Sequence, residues 1–345
     1  MSGAQDMNGG GIKRGFIFLL CLGWFLVTLF PVYWTLITSF KPPTAVNGGP
    51  TYLPWIDFQP TVQAWVDAWS GLRGDFITPF VNSTLIAVSA TALSVLLGSM
   101  AAYALVRFPF QVRLLAGLSF AVVAIGVFLL LGNVLGLRRL PALGGALVLA
   151  LAVSMLLNRL RLPGPVLGND DVVFWFVSQR MFPPIVTAFA LYLLYSEVGK
   201  AGFPLLDSYW GMVLCYTAFS LPIVVWLMRD FFQALPVEIE EAALVDDVPR
   251  IRIFFEIVLP MARPGLIATA MITLSFVWNE FLFSLLLTAG SWQTLPIMLS
   301  GQNSYRGDEW WAISVAAMVS IAPMMVMAVL LARLMRSGLL LGSIR

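Results

Sequence analysis

Residues 240–250 read EEAALVDDVPR. They place four carboxylates, Glu240, Glu241, Asp246 and Asp247, in a chain that is 59% hydrophobic and only 11% charged. Two long apolar runs, Tyr209–Met228 and Leu266–Thr288, flank them. The rest of the chain sets the class. Mean hydropathy is +0.88 over 345 residues, and the charged share is less than half the roughly 25% of soluble domains. That composition belongs to a polytopic membrane protein. The formal net charge is +2, with no basic cluster of the kind nucleic-acid binding needs. The chain has no histidine, which removes most zinc sites, Ser-His-Asp triads and imidazole bases at once. No enzyme activity, metal or cofactor is expected. Cys21 and Cys215 both sit in apolar runs and read as small buried hydrophobes.

A bilayer core of about 30 Å takes about 20 mostly apolar residues per helix. Eight runs qualify: Gly15–Ile37, Phe80–Val106, Leu114–Leu137, Leu140–Leu157, Val172–Tyr195, Tyr209–Met228, Leu266–Thr288 and Trp310–Leu331. The first reads as an uncleaved span behind a cytoplasmic tail, residues 1–14, because Phe30-Pro31-Val32-Tyr33-Trp34 stands where a signal peptide needs small residues. With the N-terminus inside, thirteen loop Lys and Arg fall on the cytoplasmic side and six outside, as the positive-inside rule favours. The C-terminus then also lies inside. Arg138-Arg139 runs against the bias, unless the hairpin that carries it only dips into the membrane from the cytoplasm. Residues 39–79 form an outer loop, with Pro54-Trp55, Trp65 and Trp69 suggesting a folded cap. Residues 289–309 form a second outer loop, and 230–265 a cytoplasmic one.

The opening stretch belongs to that cytoplasmic loop. Pro236 suits a helix start, and Ile239, Ala242 and Ala243 recur at helical spacing while Glu238, Glu240 and Glu241 point elsewhere. Asp246-Asp247 interrupts the pattern with turn-forming residues. Pro249 restarts a helix whose apolar face is Ile253, Phe254, Ile257 and Val258, ended by Pro260 and Pro264. A helix pair lying on lipid headgroups favours Lys and Arg on its polar face. An acidic face between spans fits a protein partner better.

The run Glu241-Ala242-Ala243, Asp246, Phe254, Ile257, Leu259-Pro260 and Pro264 resembles the EAA loop of ABC importer permeases, whose pattern is E-A-A-x-x-D-G-A followed by I-x-L-P. Asp247 stands where the family has its turn glycine, and Val248 where it has alanine. Asp takes the left-handed conformation at some cost, so the turn is expected to be kept under slight strain. Asn82-Ser83-Thr84, Ala101-Ala102-Tyr103-Ala104 with Arg107, Met181-Phe182-Pro183-Pro184 and Trp278-Asn279-Glu280-Phe281 resemble the carbohydrate branch, which includes the smaller maltose-type permease subunit. The similarity covers about residues 15–107 and 175–345, leaving 114–160 as an inserted hairpin.

The resemblance implies an all-α, polytopic helical bundle: a six-helix permease core plus the hairpin. It implies half of a translocation pore, formed with a second permease subunit in a heterodimer. A cytoplasmic ATPase dimer would dock at Glu241, Ala242, Ala243, Asp246, Asp247 and Pro260. An extracytoplasmic solute-binding protein would deliver a sugar or sugar-like solute, with a polyol, glycerol phosphate or peptide as the alternative cargo. The setting is a bacterial cytoplasmic membrane, with lipid around the bundle. The chain itself carries no G-x-x-x-x-G-K-[ST]; Gly199-Lys200 is followed by Ala201, so ATP hydrolysis belongs to another chain.

Asn279 and Glu280 lie in the seventh run, roughly 22 Å from its cytoplasmic end at 1.5 Å per residue. An ionisable group at that depth faces either a cavity, here the translocation path, or a packing partner. Glu280 is the one deep carboxylate that an ion-coupled secondary transporter would use, and that reading leaves the EAA-like loop unexplained. Arg180 is expected to snorkel to the cytoplasmic surface. Pro183-Pro184 and Pro222 are expected to kink their helices.

Overall fold

The computed structural model describes residues 6–70, 76–160, 164–301 and 309–336. The protein is an all-α polytopic bundle, interrupted in the described residues by one two-residue antiparallel strand pair. Contacts divide it into two units, residues 1–78 with 298–325 and residues 79–297 with 326–345.

In the first unit, α1 (Asp6–Thr38) carries Pro31 inside it. Its residues from Phe16 to Phe30 are almost all exposed and apolar, as a helix facing lipid must be. The helix begins at Asp6, so the segment read as a tail over 1–14 is partly helical. Cys21 lies exposed on it, not buried as expected, because among the described residues no other helix covers this face; Cys215 is buried. Two short helices follow, α2 (Pro43–Asn47) and α3 (Gln63–Ser70). This segment is held by local contacts. Lys41 is buried with its Nζ 4.0 Å from the Trp34 ring and 2.7 Å from the Thr51 carbonyl oxygen, to which it donates. Burial pushes its ammonium below the ordinary lysine range. The Asp57 carboxylate accepts from the Tyr52 and Leu53 N–H groups, which hold it below the usual carboxylate range. Ala64 of α3 packs in one buried cluster with Trp311 and Val315.

The second unit contains the rest: α4 (Ile77–Arg107), α5 (Leu114–Leu129), α6 (Arg139–Arg159), α7 (Asn169–Ser178), α8 (Pro184–Lys200), α9 (Tyr209–Gln233), α10 (Glu238–Val245), α11 (Arg250–Ile253), α12 (Leu259–Met261), α13 (Arg263–Trp278) and α14 (Leu282–Leu287). Helices α15 (Leu295–Gly301) and α16 (Trp310–Arg336) complete the chain. The centre is α9, most of whose inner face is buried. Gly98 of α4 lets the two helices touch: a Cβ there would stand 2.5 Å from Val224 Cγ1. Gly265 of α13 does the same against the Phe231 ring, at 2.4 Å. Small residues allow such close approach in membrane bundles.

The segment expected to be an inserted hairpin is α5, a π-turn at Leu130–Val134 and α6. Its seam is Ala142, Ala146 and Ala150, each fully buried and one turn apart, opposite Ala116. Strands β1 (Val112–Arg113) and β2 (Val166–Leu167) close its base. Asn169 ties that base to α4: its Nδ2 donates to the Leu105 and Phe108 carbonyl oxygens, and its Oδ1 accepts from Phe110 N–H. The tip reaches Glu197 of α8 through Arg139. The hairpin is thus tied to α4 at its base and to α8 at its tip.

Among the described residues, six single helices are long and apolar enough to cross a membrane, or up to eight spans if two bent pairs count. The run Val172–Tyr195 is not one straight span. It is α7 and α8, bent by 93°. Phe182 precedes proline and is extended, with ψ 141°, and Pro184 opens α8. Proline accounts for this break, whereas α9 continues unbroken through Pro222. The run Leu266–Thr288 is also two helices, α13 and α14, separated at Asn279-Glu280-Phe281. A further bend of 81° joins Arg250–Met261 to α13; Pro260 lies within α12 and Pro264 opens α13. Four cations counted for orientation, Arg73, Arg161, Arg306 and Arg345, lie outside the described residues, as do positions 302–308 of the second outer loop and the C-terminal residues 337–345.

Candidate functional site

Helix α10 begins one residue after Val237, not at Pro236, with three carboxylates in its first turn, at the positive end of the helix dipole. Its end explains the Asp246-Asp247 pair. Asp246 is the C-cap; Asp247 N–H donates to Leu244 O at 3.2 Å and Val248 N–H to Ala243 O at 3.1 Å. These two bonds form a Schellman closure, which needs a left-handed residue after the cap. Asp247 supplies it with φ +55°. Glycine takes this conformation freely, and a short polar side chain tolerates it at a cost of about 1–2 kcal/mol. Ala243 and Val248, the apolar pair that accompanies such a closure, pack against the same core. From Pro249 the chain runs through α11, a π-turn at Phe254–Val258 and α12.

The inner face of this segment differs from the sequence reading. Glu240, expected to point away, is buried, while Ile239 is exposed. Glu240 Oε1 is 2.7 Å from Arg107 Nε, and Tyr103 Oη donates to its Oε2 at 2.7 Å. Arg107 also donates through Nη2 to the Phe232 and Leu235 carbonyl oxygens, at 3.2 Å each. One guanidinium thus caps the end of α9, closes α4 and holds α10. The Tyr103 ring meets Phe108, Phe232 and Phe254. Below it Ile253, Phe254 and Val258 are buried with Val224, Val225 and Met228. Tyr103 and Arg107 stood out in the sequence. Glu240 did not, and its offset from Arg107 gave no periodic signal.

The outer face is left free. Glu241, Ala242, Asp246 and Asp247 are exposed, Ala243 and Pro260 half-buried. Val245 is 83% and Ile251 57% exposed, beside Ile239 and Phe255. The result is an apolar surface edged by carboxylates, with Arg252 paired to Glu256 at 2.8 Å on its flank.

The other sequence candidates lie away from this segment. Glu280 Oε1 and Oε2 accept from the Phe283 N–H at 3.0 and 3.1 Å, and Oε2 accepts from Tyr216 Oη at 2.9 Å. It caps the start of α14, which is why the seventh run breaks there. Asn279 is exposed, and its Nδ2 donates to Ser275 O. Arg180 does not snorkel as expected. Its guanidinium sits 4.9 Å from the Phe219 ring and 5.3 Å from Phe276, with Nη1 buried and without a hydrogen-bond partner. The proline break aims it inward, where the ring faces attract it.

A family model described as "Binding-protein-dependent transport system inner membrane component" matches residues 169–339. That range begins after the α5–α6 hairpin and contains the whole α10–α12 segment. The diacetylchitobiose uptake system permease protein DasC of Streptomyces coelicolor is 31% identical over 201 residues, 58% of this chain and 70% of that protein. The chain belongs to this family of ABC transporter permeases. The trehalose/maltose transport system permease protein MalG of Thermococcus litoralis is 26% identical over 97% of the permease and 98% of its own length. In fold, the permease resembles a chain in a crystal structure of a bacterial ABC transporter that imports the acidic polysaccharide alginate. The TM-score is 0.63 at 16% identity, covering 96% of the permease and 98% of that chain. The permease is a multi-pass inner-membrane component of a binding-protein-dependent importer, not an enzyme. Such a permease works with an ATPase, a solute-binding protein and a second permease.

Proposed function

We propose that the permease forms half of a pore with a different, second permease subunit, and that a cytoplasmic ATPase dimer drives it by gripping α10–α12. The observation that carries this is the two-sided build of that segment. Its inner side is fixed to α4 and α9 through Arg107, Tyr103 and Glu240, and its outer side presents Val245 and Ile251 among carboxylates. A short, stiff element with a free sticky face receives force from a partner; a helix pair lying on lipid headgroups favours Lys and Arg on its polar face, whereas here Glu241, Asp246 and Asp247 are exposed beside Arg250 and Arg252. Glu241 makes the charged contact with the ATPase, Ala242 and Ala243 allow close approach, and Asp246, Asp247 and Pro260 hold the turn and the following bend. The segment is then cytoplasmic, and both termini are cytoplasmic with it. Glu241→Ala removes an exposed contact without disturbing the core. It abolishes uptake while the complex still assembles; normal uptake by this variant sinks the proposal.

The cargo is a sugar or a sugar-like solute, delivered by an extracytoplasmic binding protein. The relatives support this: their names refer to diacetylchitobiose and to trehalose and maltose. Asn279 and Glu280 border the translocation path at the break before α14. Copurifying the complex and measuring which solutes its binding protein retains tests the cargo. Retention of a polyol, glycerol phosphate or peptide in place of a sugar changes the cargo and leaves the importer mechanism intact.

A further inference from the structure

The tip of the α5–α6 hairpin forms part of a basic cleft separate from the α10–α12 segment. Its α5 and the following π-turn are long enough, about 30 Å at 1.5 Å per residue, to carry the tip to the end of the unit away from α10. There Arg138 and Arg139 face the end of α8, across an open cleft of about 1210 Å³. Apolar residues such as Phe128 and Leu140 line the cleft, and Arg138, Arg139, Lys200 and Glu197 stand around it. Glu197 lies 2.8 Å from Lys200 Nζ and 3.4 Å from Arg139 Nη1. It is the single carboxylate in the lining, set against three cations. Arg139 and Lys200 side chains remain about 70% exposed despite these pairs (70% and 69%).

We propose that this cleft binds an anionic phospholipid, with its phosphate held by Arg138, Arg139 and Lys200 and its acyl chains lying along the apolar wall. Three observations converge on that ligand. Three cations line the cleft against the one carboxylate of Glu197, and Arg139 and Lys200 stay largely exposed beside it, so net positive charge is left to attract an anion. The cleft exceeds the roughly 300–1,000 Å³ of pockets for drug-sized ligands, far more than a free phosphate fills. Its wall is continuous with helices that face hydrocarbon, where a soluble anion has no partner but a lipid tail does. Basic pockets between membrane helices hold phospholipid head groups on the cytoplasmic or matrix side, and the same pairing of cations with a phosphate is inferred at this end of the hairpin. The proposal rests on the membrane setting of the hairpin and not on the coupling segment.

The test uses the assembled, delipidated transporter in neutral detergent, titrated with phosphatidylglycerol or phosphatidylcholine, with bound lipid counted by native mass spectrometry. Phosphatidylglycerol is retained at least about tenfold more tightly, at roughly fivefold per surface cation. The triple variant Arg138→Gln, Arg139→Gln, Lys200→Gln loses about a hundredfold on the same scale. Glu197→Gln removes the competing carboxylate and tightens binding about fivefold, an effect of opposite sign that misfolding does not produce. Arg159→Gln, at the other end of the hairpin, changes nothing. Equal retention of both lipids, an unchanged triple variant, weaker binding by Glu197→Gln, or displacement of phosphatidylglycerol by millimolar inorganic phosphate overturns the proposal; the last result assigns a free-anion site instead.

Discussion

Removing Glu240 tests whether the α10–α12 segment is fixed to the bundle through one buried ion pair. The Glu240 and Arg107 side chains are 9% and 12% exposed, and their closest atoms are 2.7 Å apart. Breaking a buried pair by deleting one partner costs about 3–5 kcal/mol, because the other charge is stranded. The lower end applies to Glu240→Ala, since Arg107 keeps its bonds to the Phe232 and Leu235 carbonyl oxygens. At about 3 kcal/mol, the apparent Tm falls by roughly 6–12 °C for a domain of 150–250 residues. Arg107→Ala costs more, because it also leaves those two carbonyl groups unpaired. The double variant Arg107→Ala, Glu240→Ala then costs less than the sum of the two, by about 2 kcal/mol. Thermal unfolding of the detergent-solubilised complex gives the cycle. Uptake and ATP hydrolysis in reconstituted vesicles give its consequence: Glu240→Ala hydrolyses ATP without moving solute. Additive costs, or a Glu240→Ala protein with normal Tm and normal uptake, refute the reasoning.

Asp247→Gly relieves a left-handed residue at about 1–2 kcal/mol and gives back about 0.5–1 kcal/mol in chain entropy; it leaves uptake intact with a slightly raised Tm, and a severe loss of uptake means the turn has another role. Glu280→Ala removes the cap of α14 and costs about 0.5–2 kcal/mol; a transport defect with unchanged Tm assigns Glu280 to the pore path alone. Gly98→Leu drives a side chain into Val224, whose Cγ1 would already lie 2.5 Å from a Cβ there, and costs about 1–3 kcal/mol, read as reduced Tm and reduced yield of assembled complex. Asp207 holds the loop after α14: its carboxylate is pushed up by burial but pulled down further by N–H groups that include those of Ser291 and Trp292, for a net lowering. A carboxyl group lowered by folding stabilises above its unfolded pKa and loses that contribution as pH falls through its folded one. Hydrogen-exchange protection at Ser291 and Trp292, taken relative to the intrinsic amide rate at each pH, therefore falls on acidification below the ordinary aspartate range in the wild type, and does not change with pH in Asp207→Asn.

The sequence carried the main spans because apolar runs of about 20 residues have little else to be. It also carried the α10 turn: Asp246-Asp247 before Pro249 breaks a helical pattern, and the structure closes α10 there with Asp247 left-handed. The inward Glu240 was hidden because amphipathic reading sends every carboxylate to the surface. Only the fold brings Arg107, 133 residues away, within reach of it. The break between α13 and α14 was hidden for a related reason. Leu266–Thr288 is long and apolar enough for one helix, and what starts a separate α14 after α13 is a side-chain cap from Glu280, supported by Tyr216 on a different helix. Proline at positions 183 and 184 announced a bend but not its size, since 93° depends on what α7 and α8 pack against. The hairpin seam at Ala142, Ala146 and Ala150 is regular in the sequence, yet small residues at that spacing do not name the helix that fills the gap.

The central claim is that the face carrying Val245 and Glu241 is where the ATPase binds. A photoreactive residue placed at Val245, which is 83% exposed, in membranes holding the whole transporter measures this most directly. The account predicts a crosslink to the ATPase subunit that changes in yield when ATP is added, and none from the same probe at the lipid-facing Val27. Crosslinks from Val245 to lipid alone, or to the ATPase at equal yield from both positions, contradict it.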